Sequence, residues 1–404
     1  MNMLHTILYF LSTILFIYLA ANTIYLFVIA LCGRLIRGKK FVFHPEKKRI
    51  SVLIPCYKED LIIIDTASRA AGHDYPKDRF TVTVIADKLQ PSTVANLRRI
   101  PVHVLEVDLN MKSRSLHAAL EALHGSDAEI VMILDSDNIM DAGCLEKVNA
   151  AFQEGCMAVQ CHRTAKNKNT SVAWLDAMSE EININLFRRG PAVLGLSAAP
   201  IGSGMAFDTA LIREIFSSEE ILQNPGEDRE IDMQLMRRKI KMEFVDDALV
   251  YDEKVASAVV FEKQRVRWLE AQVNHLKRFF HGDMRDAPKT FLYYNKFFQN
   301  LLLPRILTLV VFCIIGFVLV MQALFGIQLL FPGWLAWMAL SGIYFLALFI
   351  SIPGAFYSMN TVRALNQVPV LMLAMIRALL QMKKKRAEFI HTPKSFTVEE
   401  NTER

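Results

Sequence analysis

The chain has 404 residues, 52% hydrophobic and 22% charged, with a formal net charge of +5. With a mean hydropathy of +0.25, this argues against a purely soluble protein, and the length admits one large domain with membrane elements or two domains. The basic clusters at 34–40, 47–49 and 383–386 flank apolar stretches and lack interleaved aromatics. That pattern fits cytoplasmic membrane edges and speaks against nucleic-acid binding.

Residues 6–33 carry no charge, and Arg34, Arg37, Lys39 and Lys40 follow. A signal peptide has its positive charges first, so residues 1–36 read as an uncleaved anchor in a bacterial inner or plasma membrane, N-terminus outside. Residues 37–255 then form a cytoplasmic α/β domain. Its strands are predicted at Ile50–Ile54, Phe80–Ala86, Val102–Val107, Ile130–Leu134 and Met157–Gln160, and its clearest helices at Lys112–Ala122 and Asp228–Arg238. Alternation of strands and helices predicts a mixed, mostly parallel sheet. No G-x-G-x-x-G follows the first strand, which disfavours a dinucleotide-binding domain.

Within 256–300, Val266, Leu269, Val273, Leu276 and Phe280 make one apolar face, fitting an interfacial helix or a core helix. Spans are predicted at Leu301–Leu324 and Trp334–Tyr357. The stretch Val368–Met382 is short and contains Arg377, so within 301–382 it reads as interfacial or re-entrant. A basic tail, 383–404, closes the chain. Cys156, Cys161 and His162 suggest a metal site, but no second ligand pair accompanies them, and the six cysteines read as thiols in a reducing compartment.

The apolar run Ile130–Leu134 ends in Asp135-Ser136-Asp137. Two carboxylates at i and i+2 on a strand end can hold Mg²⁺ or Mn²⁺, which in turn holds phosphate oxygens; the alternative is an acidic helix cap. Further features stand at strand ends in order: Pro55-Cys56-Tyr57-Lys58-Glu59, Asp87, the segment from Lys112, Gly202-Ser203-Gly204, Gly226-Glu227-Asp228 and Gln264-Arg265-Val266-Arg267-Trp268.

Over residues 51–268 this ordered set resembles the family 2 glycosyltransferases, membrane-bound inverting enzymes that include cellulose, chitin and hyaluronan synthases. The resemblance implies a GT-A fold with transmembrane helices at both ends, a UDP-sugar donor and a divalent cation. It places Pro55, Tyr57, Glu59, Asp87, Lys112, Asp135, Gln264 and Arg267 at the nucleotide sugar, with Asp137 and Asp135 at the metal. Asp228, with Glu227 beside it, supplies the general base, and Gly202, Ser203, Gly204 and Trp268 face the acceptor. Phe389–Lys394 is similar to the family's gating loop, with Thr392 and Lys394 on the donor and His391 in place of Val; the alternative is a plain basic tail.

Physical chemistry supports these roles. Asp87 can accept hydrogen bonds from uracil or ribose, Tyr57 can pack on the base, and Lys112 offers the diphosphate a point charge. Gln264, Arg267 and Trp268, at i, i+3 and i+4, share a helix face, so Arg267 can grip the diphosphate while Trp268 stacks on a sugar. Asp228 could equally serve as favourable charge at a helix N-terminus. The expected activity is transfer of a sugar, with inversion, to a lipid-linked or envelope glycan acceptor, with envelope-biosynthesis proteins as partners. A processive synthase extruding its polymer, a nucleotide-binding scaffold and a transporter are the alternatives; the last would need more spans with ionisable groups within them, and the clear spans show none at depth.

Overall fold

The computed structural model describes residues 3–224, 226–280 and 287–382. The gating-loop candidate Phe389–Lys394, with Thr392 and Lys394, lies outside the described residues. Eight strands form one sheet: β1 (Ile50–Tyr57), β2 (Phe80–Asp87), β3 (His103–Val107), β4 (Ile130–Ile133), β5 (Ile139–Met140), β6 (Ala158–Ala165), β7 (Met205–Asp208) and β8 (Glu243–Asp252). Their spatial order is β3-β2-β1-β4-β7-β6-β8-β5. β3, β2, β1 and β4 run parallel. β7 then lies antiparallel to both β4 and β6, while β8 pairs parallel with β6 and antiparallel with β5.

The five strands predicted from the sequence are all present with shifted ends; β5, β7 and β8 were not foreseen. β4 is buried along its whole length, as its unbroken apolar run requires. One core layer packs Val52, Val82, Met132 and Val148 on one face of the sheet, and another packs Leu53, Val131, Phe207 and Ile231 on the other. Chain reversal of strand order around β1 opens a crevice above the carboxyl ends of β1 and β4, the usual ligand position in open α/β sheets.

Four helical stretches are long and apolar enough to cross a membrane: His5–Leu35, Arg305–Phe325, Trp334–Ser351 and Met359–Leu380. Leu19, Leu26 and Ala30 of the first pack with Phe312, Trp337 and Tyr344, and also with Ile182 and Leu186 of the α/β domain. At Gly190 a methyl group would stand 2.6 Å from Ile29 Cγ2, so glycine permits this close approach. Polar bonds add direction. Tyr25 Oη donates to Asn295 Oδ1 at 2.9 Å, and the Leu303 amide donates to Asn22 Oδ1 at 3.1 Å.

The periodic apolar face within 256–300 belongs to the helix Ala258–Arg278. Val266 and Leu269 pack against Leu307, Met375 and Ala378 of the C-terminal helices, so the chain itself covers that part of the face. Val273 and Phe280, further along, are exposed. All six cysteines are free.

Candidate active site

A cavity of about 1130 Å³ lies over the carboxyl ends of β1, β2 and β4. Pro55, Tyr57, Glu59, Asp87, Lys112, Asp135, Asp137, Gly202, Glu227, Asp228, Gln264, Arg267 and Trp268 all line it. Residues up to 213 positions apart in sequence, Pro55 to Trp268, thus meet in one space.

β2 delivers Asp87 almost fully buried. Its Oδ2 accepts from the Asn110 amide at 2.7 Å and the Leu109 amide at 3.3 Å, which fixes the carboxylate. Its Oδ1 is buried with no hydrogen-bond partner. A buried, unmatched acceptor costs about 1–3 kcal/mol, a cost that a ligand's N–H or O–H would remove. Gln264 Oε1 is unmatched in the same way.

Lys112 opens the helix Lys112–Ala122, and its Nζ lies 2.6 Å from Asp135 Oδ1, 2.7 Å from the Gly202 carbonyl and 2.8 Å from Glu227 Oε1. Burial pulls its pKa down, but the Asp135 and Glu227 carboxylates outweigh that and raise it overall. The ammonium therefore ties the β4 edge to the Glu227–Arg237 helix.

Below this, Ser203 Oγ accepts from the Asp135 amide at 2.8 Å and donates to Asn138 Oδ1. Ser203 and Gly204 were expected to face the acceptor. Instead they lie beneath the cavity: Ser203 is fully buried and holds Asp135 in place, and the Gly204 amide bonds the Ile133 carbonyl at 2.9 Å. Gly202 reaches the cavity at φ +85°, beside Lys112, Glu227 and Asp228.

The Asp135 side chain is partly open, whereas Asp137 is buried and its Oδ2 accepts from the Glu253 amide at 3.2 Å. Among the described residues no group of three or more His, Cys, Asp or Glu is arranged to hold a metal. Asp135 and Asp137 supply two hard oxygen donors of the kind that suits a divalent cation.

Glu227 and Asp228 start the helix Glu227–Arg237, where negative charge suits the macrodipole. Burial raises the Glu227 pKa, against the downward pull of Lys112. Asp228 is half-buried, with Oδ1 accepting from the Arg229 amide at 2.7 Å. Trp268 is 39% exposed, and Arg265 stacks 4.0 Å from its ring centroid while pairing with Asp176 at 2.8 Å. Arg267 loses basicity to burial, opposed by Glu227.

The sequence reading missed a buried charge network in the cavity wall. Arg163 on β6 pairs with Glu180 at 3.2 Å and Asp252 at 3.4 Å, and Lys254 pairs with Asp252 at 2.8 Å. Two adjacent acids, Glu180-Glu181, in the mostly apolar helix Ser171–Ile184, which also carries Asp176, were the available signal.

Carboxylates, a lysine and an aromatic-arginine face gathered over this sheet define a GT-A glycosyltransferase. The chain belongs to the family described as glycosyltransferase-like family 2, which matches residues 45–271, more than half its length. No curated protein matches the chain. Among solved structures, the mannosyltransferase PcManGT from Pyrobaculum calidifontis, in complex with GDP-Man and Mn²⁺, is 18% identical with a TM-score of 0.57, covering 90% of this chain and 98% of its own. S. aureus TarS 1–349 in complex with UDP-GlcNAc is 14% identical with a TM-score of 0.42, covering 83% and 93%.

Proposed function

We propose that this membrane glycosyltransferase moves a sugar from a nucleotide-sugar donor, UDP-linked by the family resemblance, to a lipid-linked or envelope glycan acceptor with inversion. One observation carries the acceptor reading. The cavity runs from Tyr57 and Asp87, past Asp135 and Asp228, to Leu26, Ile306 and Met375 of the membrane-length helices and to Leu303 in the connection before Arg305–Phe325. An acceptor held in the bilayer would thus meet a donor entering from the sheet edge.

The residues divide the work. Asp87 Oδ1 takes a hydrogen bond from the base or ribose, and Tyr57 packs beside it. Asp135 and Asp137 would hold a divalent cation, whose positive charge would offset the negative charge of the diphosphate; PcManGT, bound to GDP-Man and Mn²⁺, supports such a donor and metal. Arg267 faces the same diphosphate, and Trp268 stacks on the acceptor sugar. The acceptor hydroxyl oxygen attacks the anomeric carbon, the bond to the diphosphate breaks with its electron pair on the leaving oxygen, and Asp228 takes the hydroxyl proton.

With the anchor N-terminus outside, the α/β domain is cytoplasmic. Arg377 on the Val368–Leu380 helix pairs with Glu262 of the Ala258–Arg278 helix at 3.1 Å, supporting an interfacial seat for that segment. The test uses native membranes containing the protein and a panel of labelled nucleotide sugars, with lipid-soluble product separated from polymer. Label in the lipid phase is expected. No product with any donor would refute the transferase reading, and polymer alone would favour processive synthesis.

A further inference from the structure

Three arginines that form no ion pair among the described residues, Arg188, Arg229 and Arg305, line the cavity. Arg188 donates to the carbonyls of Ala199 at 2.8 Å, Pro200 at 3.2 Å and Asn183 at 3.4 Å. Arg229 donates to Asn300 Oδ1 at 3.3 Å, and Arg305 donates to Ser179 O at 2.9 Å and Ser179 Oγ at 2.8 Å. Among the described residues, no ion pair joins any of the three to a carboxylate. Of the acids around them, Asp232 is matched by Lys296 at 2.8 Å, Glu180 by Arg163 and Asp176 by Arg265, while Asp228 attracts Arg188 and Arg229 without forming an ion pair with either.

Holding guanidinium groups out of water without a directly paired anion is costly, and such sites ordinarily pair them. Burial lowers the pKa of Arg188 to about 10; it also lowers that of Arg229, in both cases against the pull of Asp228 and Asp232. A π-helical turn, Asn185–Arg189, sets Arg188 at the cavity and turns Arg189 to Asp246 at 2.6 Å. π turns inserted in α-helices recur at functional sites. Arg229 directly follows the candidate base Asp228. Beside the arginines the wall is apolar, formed by Leu26, Leu303, Ile306 and Met375.

We infer that Arg188, Arg229 and Arg305 form a subsite for the phosphate of a lipid acceptor, whose tail runs along the apolar wall toward the bilayer. Guanidinium forks match phosphate oxygens geometrically, and the apolar wall matches an alkyl chain. The inference rests on the transferase reading above and narrows its acceptor to a lipid whose head bears both a phosphate and the accepting hydroxyl. The phosphate is unchanged by the reaction; it holds that hydroxyl beside Asp228.

The test titrates the full-length protein in detergent micelles with phytanyl phosphate, phytanol and inorganic phosphate, with UDP and Mn²⁺ in parallel. Phytanyl phosphate is expected to saturate at least about tenfold below either comparison ligand. Arg229→Gln is expected to weaken it at least about tenfold, Arg229→Lys to recover part of that loss, and neither to change UDP affinity. Arg305→Gln provides the same comparison should the first variant misfold. Equal binding of phytanol would overturn the phosphate subsite, and equal competition by inorganic phosphate would overturn the lipid acceptor. If UDP binds and phytanyl phosphate does not, this inference alone fails. If UDP with Mn²⁺ also fails to bind, the donor-site reading fails with it.

Discussion

Replacing Asp228 by Asn separates the duties of two adjacent carboxylates. Glu227 is buried and committed to the Lys112 ammonium at 2.8 Å. Asp228 spends one oxygen on the Arg229 amide at 2.7 Å, while its Oδ2 stands 3.7 Å from where a methyl on Gly202 would project. Asparagine preserves size and can keep the contact to the amide, but it cannot take a proton. A positioned base contributes roughly 10²–10⁴-fold, or about 3–6 kcal/mol at about 1.4 kcal/mol per decade. The kcat of Asp228→Asn should fall by that factor. Asp228 shares no hydrogen bond with Asp87, Asp135 or Asp137, so the donor KM should stay within about twofold. Glu227→Gln acts instead through Lys112 and should shift the pH–rate profile. The assay is the initial rate of labelled-sugar transfer by full-length protein in proteoliposomes. Retention of more than about a tenth of wild-type kcat by Asp228→Asn, or a larger kcat loss in Glu227→Gln, would refute the assignment.

Three further outcomes are expected. His162 lies 3.1 Å from Asp246 and 3.2 Å from Glu181. Burial lowers its pKa, but those two carboxylates outweigh it and raise it to about 9. Because the folded value exceeds the unfolded one, the stabilisation is full below pH ~6.5, disappears by pH ~9 and amounts to about 3 kcal/mol; thermal melts of His162→Gln should lose this alkaline decline. Gly202→Ala places a methyl 3.6 Å from Lys112 Nζ at φ +85°, costing about 1 kcal/mol of stability and about tenfold in kcat; a wild-type rate would remove this loop from the site. Chelation by EDTA should lower transfer at least about a hundredfold, with Mn²⁺ or Mg²⁺ restoring the wild type but not Asp135→Ala; undiminished transfer in EDTA would count against the metal.

Much of the candidate site was legible because side chains lining the cavity sit at the ends of parallel strands, and strand ends show in hydropathy. Asp87 and Asp135 each follow an apolar run, and both line the cavity. β8 escaped notice because Asp246 and Asp247 interrupt its apolar pattern, yet Asp246 is used to hold His162 and Arg189. The roles of Ser203 and Lys112 were also out of reach. A glycine-flanked serine looks like a ligand contact until the Asp135 amide is seen to bond it, and which acids surround a lysine is a tertiary fact. Arg188 and Arg305 were invisible for a similar reason. Nothing local distinguishes an arginine with a carboxylate partner from one without.

The first helix carries a consequence for how the protein can be handled and regulated. Leu26 forms part of the cavity wall, and Tyr18 Oη bonds the Leu301 carbonyl at 2.7 Å, just ahead of Leu302 and Leu303, which also line the cavity. Cutting away the first thirty-six residues would therefore breach the reaction chamber rather than free a working domain. The same coupling would make bilayer thickness an input to catalysis, because a tilt of this helix to match the lipid would move a wall of the chamber.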